Sequence, residues 1–257
     1  MIRIFHASYT DVPGCYVDTQ YLYVMGAESG VGKSTICLGI LAQLLASGFS
    51  ADQLAYIKPL TQCIEKQPVA QFCEQKNIQH RDIGSLFFSK GFSKDFIAGL
   101  TQGSAELLAE ALAAIAAIGQ GKAVVIIDGV GDPAVGSVVG VANVDVAAAL
   151  ACPVIFVGKP GIGRALDNTV LCVSFMQSKG LDNIGVIYNN IPEEAYPEIK
   201  RHVSKRLPEL LPEVSLLGFI GNLKDGVDPA QGFDAFIDRT HFLCDWLKLT
   251  LLEGESR

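Results

Sequence analysis

One nine-residue segment limits the folds open to this 257-residue chain. Gly26-Ala27-Glu28-Ser29-Gly30-Val31-Gly32-Lys33-Ser34 follows a run of β-formers, Gln20 to Met25. It precedes a stretch, Ser34 to Ser47, that is apolar nearly all round and is stopped by Gly48. Strand, glycine-rich loop and helix, in that order, are the context a phosphate-binding loop requires. The match to the P-loop pattern is complete except that Ala27 stands at the first glycine, with Gly26 just before it. Successive backbone N–H groups, backed by a helix N-terminus, form an anion cradle. Gly30 and Gly32 let the backbone take the required dihedrals and approach phosphate closely. Lys33 reaches the β- and γ-phosphates, and the Ser34 hydroxyl suits Mg2+. A chance glycine-rich turn is the bland alternative, and the strand-to-helix context argues against it.

The rest of the pattern is an alternation of strands and helices. Strands are expected at Leu54–Ile57, Ala123–Ile127, Pro153–Val157, Ile184–Tyr188 and Leu216–Ile220. Helices are expected at about Ser104–Ile118, Asp145–Ala151, Arg164–Lys179, Glu193–Arg206 and Phe233–Leu249. The stretch 64–100 reads as polar and irregular, with one helix around Val69–Gln75. Continuous apolar strands such as Val124–Ile127 belong to a sheet buried on both faces. The expected fold is therefore α/β, a mostly parallel sheet with helices on both faces. Its ligand site lies beyond the carboxyl ends of the strands. Residues 1–19 read as an extension and 20–250 as a single domain.

Composition removes several classes of function. The chain is 49% hydrophobic and 18% charged, which excludes a disordered protein. Its net charge of -7 lacks the basic footprint of a nucleic-acid binder. No stretch of about 20 apolar residues is free of charge and proline, and Ala109–Ile118 is too short to span a bilayer, so no membrane partner is expected. The seven cysteines (Cys15, Cys37, Cys63, Cys73, Cys152, Cys172, Cys244) contain no Cys-x-x-Cys pair and are odd in number. They predict neither disulfide framework nor zinc site, and with the absence of a secretory leader they predict a cytoplasmic protein. The four histidines show no ligand or triad spacing.

The loop resembles the Gly-Thr-Asp-Thr-Glu-Val-Gly-Lys-Thr loop of dethiobiotin synthetases. Further elements follow in family order over roughly residues 20–225. Tyr56-Ile57-Lys58-Pro59 is similar to the family's Tyr-Lys-Pro segment, and Asp128-Gly129-Val130-Gly131 to its Glu-Gly-Ala-Gly element. Val157-Gly158-Lys159-Pro160-Gly161, Tyr188-Asn189-Asn190 and Leu217-Gly218-Phe219-Ile220 resemble later family segments. Related partitioning ATPases carry an extra lysine where Glu28 stands, and the amidotransferase relatives add a domain this chain has no room for.

The resemblance implies an ATP- and Mg2+-dependent ligase that carboxylates a small amine and phosphorylates the carbamate. In that reading Lys33 and Lys58 are the catalytic cations, neutralising charge on the transferred phosphoryl group. Ser29, Gly30, Val31, Gly32, Lys33, Ser34 and Thr35 surround the phosphates, and Asn189 contacts adenine. Ser34 and Asp128 hold the metal. The partners implied are a small-molecule substrate and a second copy of the chain, as a homodimer. The sequence departs from the family at Gly30, where the family has an acid, and at Thr61-Gln62, where it has a serine. An acid on the following helix is also missing around Pro68–Phe72. The alternative is a nucleotide-sensing regulatory domain without turnover, like the one attached to some phosphate acetyltransferases. Each site residue has a plainer reading too: Lys58 as a solvated strand-end lysine, Asp128 as a loop-start acid bonded to backbone, and Asn189 and Asn190 as turn formers.

Overall fold

The computed structural model describes residues 19–62 and 67–222. The expected helix at Phe233–Leu249 and the extension 1–18 lie outside them. The apolar run after Thr19 forms β1 (Gln20–Gly26), with Leu22 to Met25 fully buried. The glycine-rich loop leads into α1 (Lys33–Ala46). Leu38, Ile40, Leu41 and Leu44 all lie inside, as an all-round apolar sequence requires. Each such side chain contributes about 2 kcal/mol through burial.

The chain continues through β2 (Leu54–Ile57) and β3 (Leu60–Thr61) to α2 (Pro68–Lys76). Pro68 at the first turn of α2 lacks only an N–H that would have no helical partner. Next come β4 (Gln79–Arg81), β5 (Leu86–Phe87), α3 (Phe92–Ile97) and α4 (Ser104–Gly119). The second half runs β6 (Val124–Asp128), α5 (Asn143–Leu150), β7 (Val154–Gly158), α6 (Gly163–Ser178), β8 (Ile184–Ile191), α7 (Tyr196–Leu210) and β9 (Ser215–Gly221).

Seven strands form one sheet in the order β4-β2-β6-β1-β7-β8-β9. Every neighbouring pair is parallel. Helices cover both faces, so the fold is an α/β sheet of the P-loop type, as the alternation predicts. The β1 strand occupies the centre, between β6 and β7. The chain runs from β1 out to β2 and β4 on one side and, after β6, to β7, β8 and β9 on the other, and this reversal opens a crevice at the carboxyl end of β1. The register puts Val24 opposite Asp128 and Gly26 opposite Val157. The β6 strand thus ends two residues short of β1 and β7 one residue past it, and the phosphate loop leaves β1 between them.

Two stretches differ from the sequence expectation. The segment 64–100 holds more order than its polarity suggests. Its β3 and β5 form a separate two-stranded parallel sheet, and α3 follows. These elements are too short for hydrophobic periodicity to reveal. The β8 strand also overruns its expected end at Tyr188 and continues to Ile191, which pairs with Gly221. The register with β9 shifts between Tyr188 and Ile191, and Asn190 takes the left-handed conformation at φ 56°. Asn189 and Asn190 therefore belong to an irregular strand end rather than a turn.

Candidate functional site

The site is assembled from loops at the carboxyl ends of five strands. The loop after β1 supplies the cradle, and its Lys33 is buried. The Lys33 ammonium donates to the Glu28 carbonyl at 3.0 Å, spanning the loop. Burial pushes its pKa below the ordinary 10.5. The Asp128 carboxylate opposes that shift, and the Lys58 ammonium adds to it.

Asp128 is the centre of the arrangement. It ends β6 and is fully buried. Its Oδ2 accepts the Ser34 hydroxyl at 2.6 Å and the Tyr56 hydroxyl at 2.8 Å. The Lys58 ammonium lies 3.6 Å from the same oxygen. All three donors crowd one carboxylate oxygen, while the buried Oδ1 accepts no hydrogen bond from any described residue. A carboxylate oxygen removed from water and given no donor is costly. A divalent cation would satisfy it, and Mg2+ favours hard oxygen ligands of this kind. The donor set of Asp128 Oδ1 and the Ser34 hydroxyl therefore fits Mg2+. No group of three His, Cys, Asp or Glu side chains that could hold a metal exists among the described residues.

Lys58 owes its place to the β3–β5 sheet. The Gly84 N–H donates to Thr61 Oγ1 at 2.8 Å, and Leu86 N–H donates to the Pro59 carbonyl at 3.2 Å. Gly84 lies so close to the Lys58-Pro59 peptide that a Cβ there would collide with the Pro59 carbonyl oxygen. Thr61 is fully buried under this strap, so it braces Lys58 from behind, while Gln62 is exposed.

On the far side of the cradle, Lys159 follows β7 and donates to Glu28 at 3.0 Å. Asn189, at the end of β8, is buried and donates its amide to the Val31 carbonyl at 2.8 Å. Asp132 accepts the Ala134 N–H at 2.8 Å, the turn role its place before Pro133 suggests. Lys33, Ser34, Lys58 and Asp128 thus converge, and Asn189 joins them through the loop.

Sequence reasoning missed two polar residues. Tyr56 precedes Lys58 by two, and strand period places both on one face. That spacing was the available signal. Asn143 is fully buried at the start of α5 and holds the loop after Asp128. Its Oδ1 accepts from Tyr23 at 3.0 Å and from Val130 N–H at 3.1 Å, and its Nδ2 donates to Val130 and Asp132 carbonyls. Its only sequence signal was an amide set between apolar residues, Ala142 and Val144.

Comparison with known proteins bears on the family and the fold. A family model described as AAA domain matches residues 20–230. The chain is similar to an ATP-dependent dethiobiotin synthetase BioD of Anaeromyxobacter sp. (strain K). The two are 26% identical over 183 residues, covering 69% of this chain and 80% of that protein. The BioD of Methanococcus vannielii is 23% identical over 205 residues, covering 79% of this chain and 94% of that one. Among solved structures, the MinD cell division protein of Aquifex aeolicus superposes with a TM-score of 0.53 at 14% identity. That match covers 88% of this chain and 97% of that chain. A chain of the MinC:MinD cell division protein complex of the same organism gives 0.55 at 15% identity, covering 88% of this chain and 96% of that chain. These structural likenesses concern the fold alone.

Proposed function

The chain belongs to the AAA domain family as a divergent dethiobiotin synthetase-like P-loop protein, and from that premise we propose that it is an ATP- and Mg2+-dependent ligase acting on a small amine or carboxylate. The observation that carries the proposal is the convergence on Asp128 of the loop serine, a second-strand lysine and a buried tyrosine, with Oδ1 left over. A mere nucleotide pocket has no need of Lys58 beside the acid.

In this proposal Ser29 through Thr35 enclose the phosphates, with Asn189 bordering the loop. Ser34 and Asp128 hold Mg2+, which supplies charge neutralisation at the phosphates when bound. Lys33 binds the phosphate chain from within the cradle. Lys58, held by its strap, presents a fixed ammonium toward the same space. Preorganised positive charge of this kind stabilises a transferring phosphoryl group more than its ground state. Asp128 keeps Lys58 in place by ion pairing and Ser34 by hydrogen bonding.

Assembly as a cytoplasmic homodimer is part of the proposal. Ile97 and Leu100, at the end of α3 and just beyond it, are 75% and 76% exposed. Val138, in the 3-10 turn that α3 touches, is exposed as well. Apolar side chains grouped this way support a contact surface. No helix among the described residues is long and apolar enough to cross a membrane.

A second reading has its own support. Gly30 replaces the family's loop acid, and no group of three His, Cys, Asp or Glu side chains is available to the metal among the described residues. Those losses favour a nucleotide-sensing domain without turnover. ADP release with ATP, Mg2+, bicarbonate and a panel of diamines separates the two. Stimulation by one diamine supports the ligase, whereas tight nucleotide binding with no stimulation by any of them supports the sensor.

A further inference from the structure

We infer that Asn189 is a positioning residue for the phosphate loop: its side-chain amide pulls the Val31 carbonyl away from the cradle and thereby aims the Gly32 N–H into it. The inference rests on the reading of residues 26–34 as a phosphate cradle. It concerns how the cradle keeps its shape.

The β8 strand is not a neighbour of β1, because β7 runs between them. Asn189 reaches the loop only because β8 overruns and shifts register at its end. There it is buried, with Nδ2 at 2.8 Å from the Val31 carbonyl oxygen. A carbonyl can only accept, so the amide nitrogen and not the amide oxygen must face it.

The Val31–Gly32 peptide is trans, as are all described peptides. In a planar trans peptide the C=O and the following N–H point in opposite directions. Fixing the Val31 carbonyl toward Asn189 therefore fixes the Gly32 N–H the other way, into the cradle. Gly32 is held from its other side as well, since its carbonyl accepts the Ile36 N–H at 2.9 Å as the first bond of α1. Its φ of 93° lies in the left-handed region, where side chains are strained. A Cβ on Gly32 would also run into Asn189 Nδ2, which shows how closely the two are packed. Asn190 extends the device: its Nδ2 lies 3.5 Å from the Gly30 carbonyl, the preceding carbonyl of the loop. Two adjacent amides thus face two adjacent carbonyls of the loop.

A base-reading asparagine and a loop-positioning asparagine respond differently to a ligand with no base. Inorganic tripolyphosphate, titrated with Mg2+ beside ATP and GTP, is that ligand. Asn189→Ala removes the side chain, while Asn189→Asp keeps its shape and sets an acceptor against the Val31 carbonyl. A melting curve on each variant confirms a folded protein. Both variants should lose affinity for tripolyphosphate, ATP and GTP by a similar factor of about tenfold, the effect of leaving a buried carbonyl without its donor. Unchanged tripolyphosphate affinity in both folded variants, with ATP affinity reduced, would overturn the inference and make Asn189 a base reader. Failure of the cradle reading itself looks different: wild-type protein would not bind tripolyphosphate, or Lys33→Met would leave that binding intact.

Discussion

Tyr56 and Asp128 are joined by a buried hydrogen bond of 2.8 Å between the phenol and carboxylate Oδ2. The two residues lie on adjacent parallel strands, β2 and β6, whose register sets Tyr56 beside Ile126. Burial, more than the nearby carboxylate, holds the Tyr56 pKa well above its ordinary value, so the phenol remains a donor across the working pH range. Its hydrogen bond, with that of Ser34, engages Oδ2 and leaves Oδ1 without a hydrogen-bond partner among the described residues.

Removing that hydroxyl should destabilise the fold. Tyr56→Phe should cost about 1.5–3 kcal/mol, the range for hydrogen bonds to a charged partner. Urea unfolding of wild type and variant measures it. A difference near zero would mean that the buried pair contributes nothing to the folded state.

Much of this was legible in the sequence, for specific reasons. The P-loop announced itself because a strand, glycines, Lys33 and a helix fall in fixed order. The apolar runs of β1, β6 and β7 announced a buried parallel sheet. Lys58 and Asp128 were visible because each ends such a run, where a charged residue has few structural reasons to be. Tyr56 was hidden by its own hydrophobicity, since a tyrosine in a strand reads as core. The strap behind Lys58 was hidden because β3 and β5 are two residues each. Asn189's bond to Val31 joins residues 158 apart in sequence, and no local pattern encodes it.

Lys33 makes the site sensitive to alkaline pH. Its folded pKa is below 10.5, so the folded chain loses this proton before the unfolded chain does. Between the two values the unfolded chain binds more protons, and Lys33's contribution to stability rises with pH across that window. Phosphate affinity moves oppositely, because only the ammonium attracts the ligand. ATP affinity should therefore fall on the alkaline side, beginning below the pH where a free lysine titrates. Calorimetry across that range should show this limb in wild type and its loss in Lys33→Met.

Lys58 separates ligase from sensor. On the ligase proposal its charge acts more on the transition state than on bound ATP. Lys58→Gln should lower turnover by roughly 10²–10³-fold, the scale for loss of one preorganised donor. ATP affinity should change far less, since Lys33 and the loop amides remain. Single-turnover kinetics beside nucleotide titration tests this, and an active wild type with undiminished Lys58→Gln turnover would remove Lys58 from the chemistry.

The exposed apolar group around α3 gives the proposed dimer a handle. Ile97→Asp combined with Leu100→Asp should shift the protein from dimer to monomer in light scattering after size exclusion. The fold should survive, because both side chains are largely exposed in the single chain. A wild type that is monomeric at high concentration would exclude this surface as a dimer contact.

The central claim is that Asp128 and Lys33 organise a Mg2+-dependent ATP site. It is tested most directly by titrating ATP into wild type, Asp128→Asn and Lys33→Met, each with Mg2+ and with a chelator. In Asp128→Asn the amide oxygen takes the place facing Ser34 and Tyr56, which turns its NH2 toward the metal position. Wild type should bind ATP more tightly with Mg2+ than with chelator. Asp128→Asn should lose that difference, and Lys33→Met should lose about 10–100-fold in affinity under both conditions. ATP affinity that is the same in all three proteins, with or without Mg2+, would contradict the account.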